Sequence, residues 1–258
     1  MIVSASPHAQ NDQLGTSYEG KEKLNLMKTL VIIPAYNEED AIASVVKSVD
    51  SAGFDYLVIN DGSTDRTVEI CREHNFNLLD LPVNLGIGGA VQAGHIYALK
   101  NDYDIDVQFD GDGQHPADQI QDLVDRIVSG ADLAVGSRFI ADTGGFKSTL
   151  MRRVGIRWLS ALIKVVGGGR ITDATSGFRA CGKKAIRLFS DNYPTDYPEP
   201  ESIVLAAKKG LRIEEIPVKM HERQGGKSSI NALSSVYYMV KVTLAIVLLG
   251  LSRRSMKE

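Results

Sequence analysis

The sequence predicts an α/β fold: a Rossmann-like, mainly parallel central sheet flanked by helices, with an irregular second half. Three features carry that prediction. Short apolar runs alternate with helical segments through the first half of the chain. Loops rich in Asp, Asn and Gly follow directly on the ends of those runs. Finally, 258 residues with 43% hydrophobic and 24% charged content suffice for one substantial core.

TLVIIPA reads as a buried strand, followed by a helix over 39–51. YLVIND is a second strand, with a helix over 64–74 after an Asp-Gly turn. NLLDL is a short third strand before a helix over 87–100. IDVQFD is the fourth, followed by a helix over 116–129, and DLAVGS is the fifth. Beyond it, 152–166 reads as helical up to three consecutive glycines. Then come TSGFR, a helix near 183–189, the proline-framed YPTDYPEPE, a helix from 202 and the strand LRIEEIPV. A basic loop, HERQGGKSS, precedes a final apolar helix. No repeat or linker divides the chain, so 28–232 is expected to be one domain.

The two ends differ. Residues 1–27 are polar, without periodicity and without the apolar core of a signal peptide, and are expected to be disordered, with Met27 an alternative start. Residues 233–258 read as an apolar to amphipathic helix with a basic tail, SRRSMK. Its apolar stretch would extend about 24 Å as a helix, short of a roughly 30 Å hydrocarbon layer. It suits a membrane surface, a small membrane protein or a second copy of the chain; a buried core helix is the alternative.

The net charge of −3 hides an asymmetry. Residues 36–132 hold 19 Asp and Glu against 5 Lys and Arg, whereas 138–187 hold 11 Lys and Arg against 2 Asp. Most such charges are solvated helix faces, but the split suits a cation site in the first half and an anionic partner for the second. No nucleic-acid partner is expected. Cys71 and Cys181 match no metal-ligand spacing and make a poor disulfide framework, which fits a reducing cytoplasm. The histidines His74, His95, His115 and His221 are scattered, none at zinc spacing, and none is assigned a ligand role. Trp158, on an apolar helix, reads as core.

Ligands of parallel sheets bind beyond the carboxyl ends of the strands, where PAYNEE, NDGSTD and DGDGQ all fall. In DGDGQ, Asp110 and Asp112 can share a hard divalent cation, magnesium or manganese, with Gln114 adding a neutral oxygen; a solvated Asp-Gly turn is the alternative. In NDGSTD, Ser63 or Thr64 can cap the next helix with Asp65 in its first turn. Capping does not require Asp61, whose carboxylate can accept from a nucleobase. Glu38 sits similarly, beside Tyr36, a ring able to stack on a base. NLGIGGA offers a glycine-rich turn for phosphate or ribose. It is no dinucleotide fingerprint, since G-x-G-x-x-G fails at Val91.

PAYNEE, NDGSTD, NLGIGGA, DGDGQH, GSRF and TSGFR, in that order, resemble family 2 glycosyltransferases of the GT-A fold, and most of all the polyprenyl-phosphate (dolichol-phosphate) mannosyl- and glucosyltransferases. The resemblance implies an inverting hexosyltransferase that uses a UDP- or GDP-sugar and a polyprenyl phosphate carrier for cell-surface glycan synthesis. Such an enzyme would be cytoplasmic and peripheral to the inner face of the membrane. It implies a donor site at Pro34, Tyr36, Glu38, Ile59, Asp61, Asp110 and Gly111, and Mg2+ or Mn2+ held by Asp110, Asp112 and Gln114. It also implies that Asp112, Arg138, Arg179 and Arg223 serve the departing diphosphate, each arginine having a surface ion pair as its alternative. On the acceptor side the candidates are Arg152 and Arg153, for an acceptor phosphate or anionic lipid heads with a solvated helix face as the alternative, and Lys227 and Ser228 of the late loop. That loop departs from the R-x-x-G-x-S-K of relatives, because its lysine has moved to Lys227. YPEPE raises a rival: Glu199 or Glu201 as general base for a saccharide hydroxyl acceptor. A non-catalytic sugar-nucleotide-binding subunit is the other rival. The motifs leave the base and the hexose open.

Overall fold

The computed structural model describes residues 27–140, 150–167, 171–220 and 232–251, with the side chains of 150–152 and 232–238 excepted. The expected N-terminal extension and the late basic loop therefore lie outside the described residues. In chain order the elements are β1 (Thr29–Ala35), α1 (Ile42–Ser51), β2 (Asp55–Asn60), α2 (Thr67–Glu73), β3 (Leu78–Asp80), α3 (Gly86–Lys100) and β4 (Ile105–Gln108). A 3-10 turn (Ala117–Gln119) then leads into α4 (Ile120–Val128) and β5 (Leu133–Ser137). The second half adds α5 (Leu150–Gly167), β6 (Arg179–Gly182), α6 (Lys183–Asp191), α7 (Pro198–Lys208), β7 (Ile213–Pro217) and α8 (Ala232–Leu251).

The seven strands form one sheet in the order β3-β2-β1-β4-β6-β5-β7. From β1 the chain winds outward to β3 and then crosses to the other side of β1 to lay down β4. That reversal opens a crevice at the carboxyl ends of β1 and β4, the usual ligand position in such sheets. The parallel register runs to Ile32 opposite Gln108. Beyond it the Phe109 and Gly111 N–H groups still donate to the Ile32 and Pro34 carbonyls. Asp110 is thereby fixed beside the end of β1.

Alternating side chains divide the core. Val31, Ile33, Ile105 and Val107 pack beneath α1 and α4 with Val46, Leu123 and Ile127. Leu30, Ile32, Leu133 and Val135 face the other way, against Leu159, Ile163, Phe189, Val204 and Ile246. Each such residue contributes about 1.5–3 kcal/mol by burial.

The sheet is mainly parallel, with one unexpected strand. β6, RACG, lies between β4 and β5 and is antiparallel to both. Its four residues carry no apolar alternation, so its strand state comes from the neighbours that sandwich it. Running backwards, it brings the preceding TSGF to the carboxyl ends of β4 and β5.

Several element ends also differ from expectation. α1 starts at Ile42 rather than at 39, and α2 at Thr67 rather than at 64. In both cases the N–H groups ahead of the helix donate to side chains of the facing loop instead: Glu38 and Glu39 to Thr67 and Asp65, Thr64 and Arg66 to Asn37 and Glu39. α7 starts earlier than expected, with Pro198 in its first turn, where a missing N–H costs nothing, and Glu199 and Glu201 near the positive end of the dipole.

Trp158 is not a core residue: it is 56% exposed on the outer side of α5, its Nε1–H donating to Thr243 Oγ1 of α8 at 3.1 Å. The buried stripe of α5 is Ile156, Leu159 and Ile163 instead. α5 and α8 run side by side and parallel, since Gly155 meets Met239 and Gly250 meets Val166. The Lys208 ammonium caps the Leu249 and Gly250 carbonyls at the end of α8. No helix among the described residues is long and apolar enough to cross a membrane.

Close helix–sheet approach at the crevice depends on Gly94 of α3, where a Cβ would lie 2.4 Å from Ile32 Cγ2. Gly94→Ala is expected to destabilise the fold by about 1–3 kcal/mol, measured by urea denaturation; an unchanged midpoint would mean that α3 can shift freely.

Candidate active site

The loops after β1 and β2 are bound to each other reciprocally. Asn37 adopts a left-handed conformation, φ 56°, which asparagine tolerates. Its N–H donates to Ser63 Oγ at 3.0 Å, and its Oδ1 accepts from the Thr64 N–H at 2.8 Å. Thr67 Oγ1 accepts the Glu38 N–H at 2.9 Å, and the Glu39 carboxylate accepts the Arg66 N–H at 3.0 Å. Asp65 joins both loops, taking the Thr67 N–H and O–H on Oδ1 and the Glu39 N–H on Oδ2. Burial raises the Asp65 pKa, but these hydrogen bonds outweigh it and hold the carboxyl below its ordinary value. The α2 cap is thus supplied by Asp65, while Ser63 and Thr64 bind Asn37.

Asp61 is buried at the end of β2. Its Oδ1 accepts the Leu85 N–H at 2.6 Å and its carbonyl accepts Asn84 Nδ2 at 2.8 Å, which ties the turn before α3 to the site. Ile59 is buried two residues earlier on the strand, and Tyr36 is half exposed above. A Cβ on Gly111 would lie 3.0 Å from the Pro34 carbonyl oxygen and 3.6 Å from Glu38 Cγ. Pro34, Tyr36, Glu38, Asp61 and Gly111 therefore share one end of the β1–β4 crevice. In NLGIGGA, Gly88 serves chain packing: a Cβ there would lie 2.5 Å from the Pro194 carbonyl oxygen.

Asp110 and Asp112 follow β4. Asp112 is buried, and its Oδ1 accepts the Gln114 N–H at 3.0 Å across Gly113, φ 75°. The Asp110 carboxylate is partly exposed and accepts Gln108 Nε2 at 3.2 Å, and its backbone N–H donates to His115 Nδ1 at 3.0 Å. Gly177 of TSGFR clears space for this carboxylate, since a Cβ would lie 2.8 Å from Asp110 Oδ2. The two carboxylates, and the oxygen of the Gln114 amide that follows them in sequence, are hard oxygen donors of the type that suits magnesium or manganese.

Two arginines arrive from the second half. Arg138, just past β5, is gripped by buried Asp173 through Nε at 2.6 Å and Nη2 at 2.8 Å, with Thr175 Oγ1 3.0 Å from Nη2. The Glu215 carboxylate of β7 in turn accepts the Thr172 and Asp173 N–H groups at 2.7 and 2.9 Å. Arg179 is 1% exposed; its guanidinium bonds the Ser176 carbonyl and Ser202 Oγ, joining the TSG turn to α7. Among the described residues neither arginine makes a surface ion pair. Glu199, half-buried in the first turn of α7, has its pKa raised by burial and by the Asp110 charge, with Arg179 opposing. Burial and Asp196 raise Glu201 as well. Arg152 and Arg153 lie on α5, the latter exposed. Arg223, Lys227 and Ser228 lie outside the described residues.

Sequence reasoning missed Gln108, His115, Asp173, Gly177 and Glu215. The signal was present for four of them, Gly177 being the glycine of TSGFR itself. Gln108 is a polar residue on the buried face of a strand, His115 extends DGDGQ, and Asp173 stands two residues before TSGFR. Glu215 lies on β7 far along the chain, and nothing local marks it.

One further buried cluster belongs to the core. His95 Nδ1 lies 2.7 Å from Asp106 Oδ2, with Cys181 adjacent. That is a hydrogen-bond distance; two ligands on one tetrahedral ion would stand about 3.3 Å apart.

Residues 30–189 match the family model for glycosyl transferase family 2 and span both acidic loops, DGDGQ and TSGFR. The chain belongs to this family. It is 35% identical over 211 residues to the UDP-N-acetylglucosamine–dolichyl-phosphate N-acetylglucosaminyltransferase of Methanococcus voltae, covering 73% of this chain and 84% of that protein. It is 29% identical over 227 residues to polyprenol monophosphomannose synthase of Mycolicibacterium smegmatis, covering 83% and 85%. Among solved structures, glucosyl-3-phosphoglycerate synthase from Mycobacterium tuberculosis, in complex with Mn2+, uridine diphosphate and phosphoglyceric acid, superposes with a TM-score of 0.66. The sequence identity is 20%, with coverage of 95% of this chain and 84% of that one. The likeness establishes the GT-A fold for this family 2 glycosyltransferase.

Asp65→Asn should destabilise this glycosyltransferase by about 1–2 kcal/mol at neutral pH. Because the folded-state pKa is lowered, the contribution is complete above the ordinary value of 3.8 and is lost as pH falls through the lower folded value. Urea midpoints of both proteins at pH 7 and in acid test this: the gap should close in acid, and a constant gap would refute the linkage.

Proposed function

We propose that this glycosyltransferase transfers a hexose, with inversion, from a UDP- or GDP-sugar to a polyprenyl phosphate. The observation that carries the reading is the meeting, at one switch point, of a rigid two-loop wall and an all-oxygen cluster backed by arginine. Pro34, Tyr36, Glu38, Ile59, Asp61 and Gly111 hold the nucleoside. Asp61 commits one oxygen to the Leu85 N–H and offers the other to the base. Asp110, Asp112 and Gln114 hold Mg2+ or Mn2+, which when bound neutralises the donor diphosphate. The M. tuberculosis neighbour, with Mn2+ and uridine diphosphate, supports this assignment.

Among the described residues Arg138 spends Nε and Nη2 on Asp173 and Thr175, and its Nη1 hydrogens are assigned to a phosphate oxygen. Arg179 adds a fixed positive charge behind the carboxylates, and Arg223 is assigned to the same diphosphate. In the transfer, an acceptor phosphate oxygen bonds to the anomeric carbon from the side opposite the diphosphate, whose C–O bond breaks to release nucleoside diphosphate. An acceptor phosphate is anionic at neutral pH, so no general base is required. The names of the M. voltae and M. smegmatis relatives support a lipid phosphate acceptor. The position of Glu199, half-buried and within the field of Asp110, favours a second reading in which it deprotonates a saccharide hydroxyl.

The lipid acceptor also accounts for an exposed apolar surface. Val154, Trp158 and Val165 of α5, and Val240, Leu244 and Leu248 of α8, are exposed beside Arg153, Arg157, Lys164 and Lys241. This composition suits the interface of an anionic membrane, with apolar side chains inserted and cations at the headgroups. It is consistent with a peripheral enzyme on the cytoplasmic face.

Thermal shifts with UDP- and GDP-sugars, with and without manganese, test the donor site: one donor should stabilise the protein only with metal. Asp112→Asn should abolish that shift and lower turnover by about 100-fold or more; stabilisation by no donor would sink the assignment. With polyprenyl phosphate as acceptor, Glu199→Gln should retain transfer, and loss of turnover would favour the hydroxyl reading.

Cosedimentation with phosphatidylglycerol vesicles tests the surface. Trp158→Glu with Leu244→Glu should weaken binding by about tenfold or more, and undiminished binding would exclude this face.

A further inference from the structure

We propose that His115 is the positioning residue for the first metal carboxylate, anchoring the Asp110 backbone by a hydrogen bond and flanking its side chain. The inference rests on the reading of Asp110 as a metal ligand. The Asp110 N–H donates to His115 Nδ1 at 3.0 Å, so Nδ1 bears the lone pair and the ring hydrogen sits on Nε2. Nε2 lies 3.5 Å from Asp110 Oδ2, an electrostatic approach without hydrogen-bond geometry. Gln108 Nε2 serves the other oxygen, Oδ1, at 3.2 Å. The Gln108 bond thus orients the carboxylate while the His115 ring flanks its other oxygen, with its partly exposed edge left for the cation.

The ring itself cannot turn away. It stacks on Phe178, with centroids 4.9 Å apart and planes 28° apart, and meets Phe109 edge-on at 5.4 Å. Phe109 immediately precedes Asp110. Phe178 immediately follows Gly177, whose missing Cβ makes room for the same carboxylate. His115 therefore joins the end of β4 to the start of β6 across the metal-binding position.

Outer-shell partners of this kind affect metal affinity more than nucleotide contacts, typically by about 10- to 100-fold. The test titrates the full chain with Mn2+ in saturating UDP, following the free-ion electron paramagnetic resonance signal, and separately measures UDP affinity without metal. His115→Phe keeps the ring packing and removes both nitrogens. It should weaken Mn2+ binding by about 10- to 100-fold while metal-free UDP affinity stays within about twofold. His115→Asn restores an acceptor near Nδ1 without the Nε2–H and should recover part of the loss. Wild-type Mn2+ affinity in His115→Phe, or an equal loss of metal-free UDP binding, would overturn the proposal. Should His115→Phe fail to fold, His115→Asn decides, with a loss of about threefold or more expected and wild-type affinity overturning it. Asp110→Asn separates the two readings. If it binds Mn2+ like wild type, Asp110 is no ligand; if it loses Mn2+ while His115→Phe does not, only the role of His115 fails.

Discussion

The site depends on keeping several carboxylates close together at one end of a sheet whose interior is apolar. Asp61, Asp110, Asp112, Asp173 and Glu199 gather beyond the carboxyl ends of β1, β2, β4 and β5, and unpaired burial of such groups would be costly. The fold meets that cost with donors. Asp61 takes the Leu85 N–H, Asp112 takes the Gln114 N–H, Asp110 takes Gln108, and Asp173 takes the fork of Arg138. Buried Arg179 supplies the one cation deep behind Glu199 and Asp110 among the described residues. Loop lengths, glycine positions and the late strands follow from placing these donors.

The antiparallel strand β6 makes that placement possible. A further parallel strand would have delivered its carboxyl end to the site, with the next loop starting there. β6 instead arrives from the site, so TSGF lies beside Asp110 and ATSG beside Arg138. One segment thus serves both β4 and β5: Gly177 makes room for Asp110, and Asp173 and Thr175 accept from Arg138. Glu215, from the edge strand β7, braces the same segment through the Thr172 and Asp173 N–H groups. The Arg138 and Arg179 side of the site is consequently built from the basic second half, and the interlocked-loop side from the acidic first half.

The parallel core was legible because it rests on local signals. TLVIIPA, YLVIND and DLAVGS are apolar runs buried on both faces, and the helices between them show one buried stripe each. The acidic motifs were legible because they interrupt those runs at the strand ends. β6 was not, since RACG has no pattern of its own and becomes a strand only between β4 and β5. Trp158 was misplaced for the same kind of reason. Helical periodicity marks which residues share a face, but α5 has two apolar faces, and only its packing on α7 and α8 decides which one is covered.

The sequence by itself determined the α/β class, the order of the first five strands along the chain and the residue types at their ends, because these depend on short-range periodicity and turn chemistry. Tertiary structure alone decided which of those ends meet. The crossover at β1 and β4 brings Asp110 beside Pro34, the reversed β6 brings Gly177 to Asp110, and the interlocked loops set where α1 and α2 begin. Each is a contact between residues far apart in the chain. Its energy comes from a hydrogen bond or a close approach that exists only once the sheet has assembled.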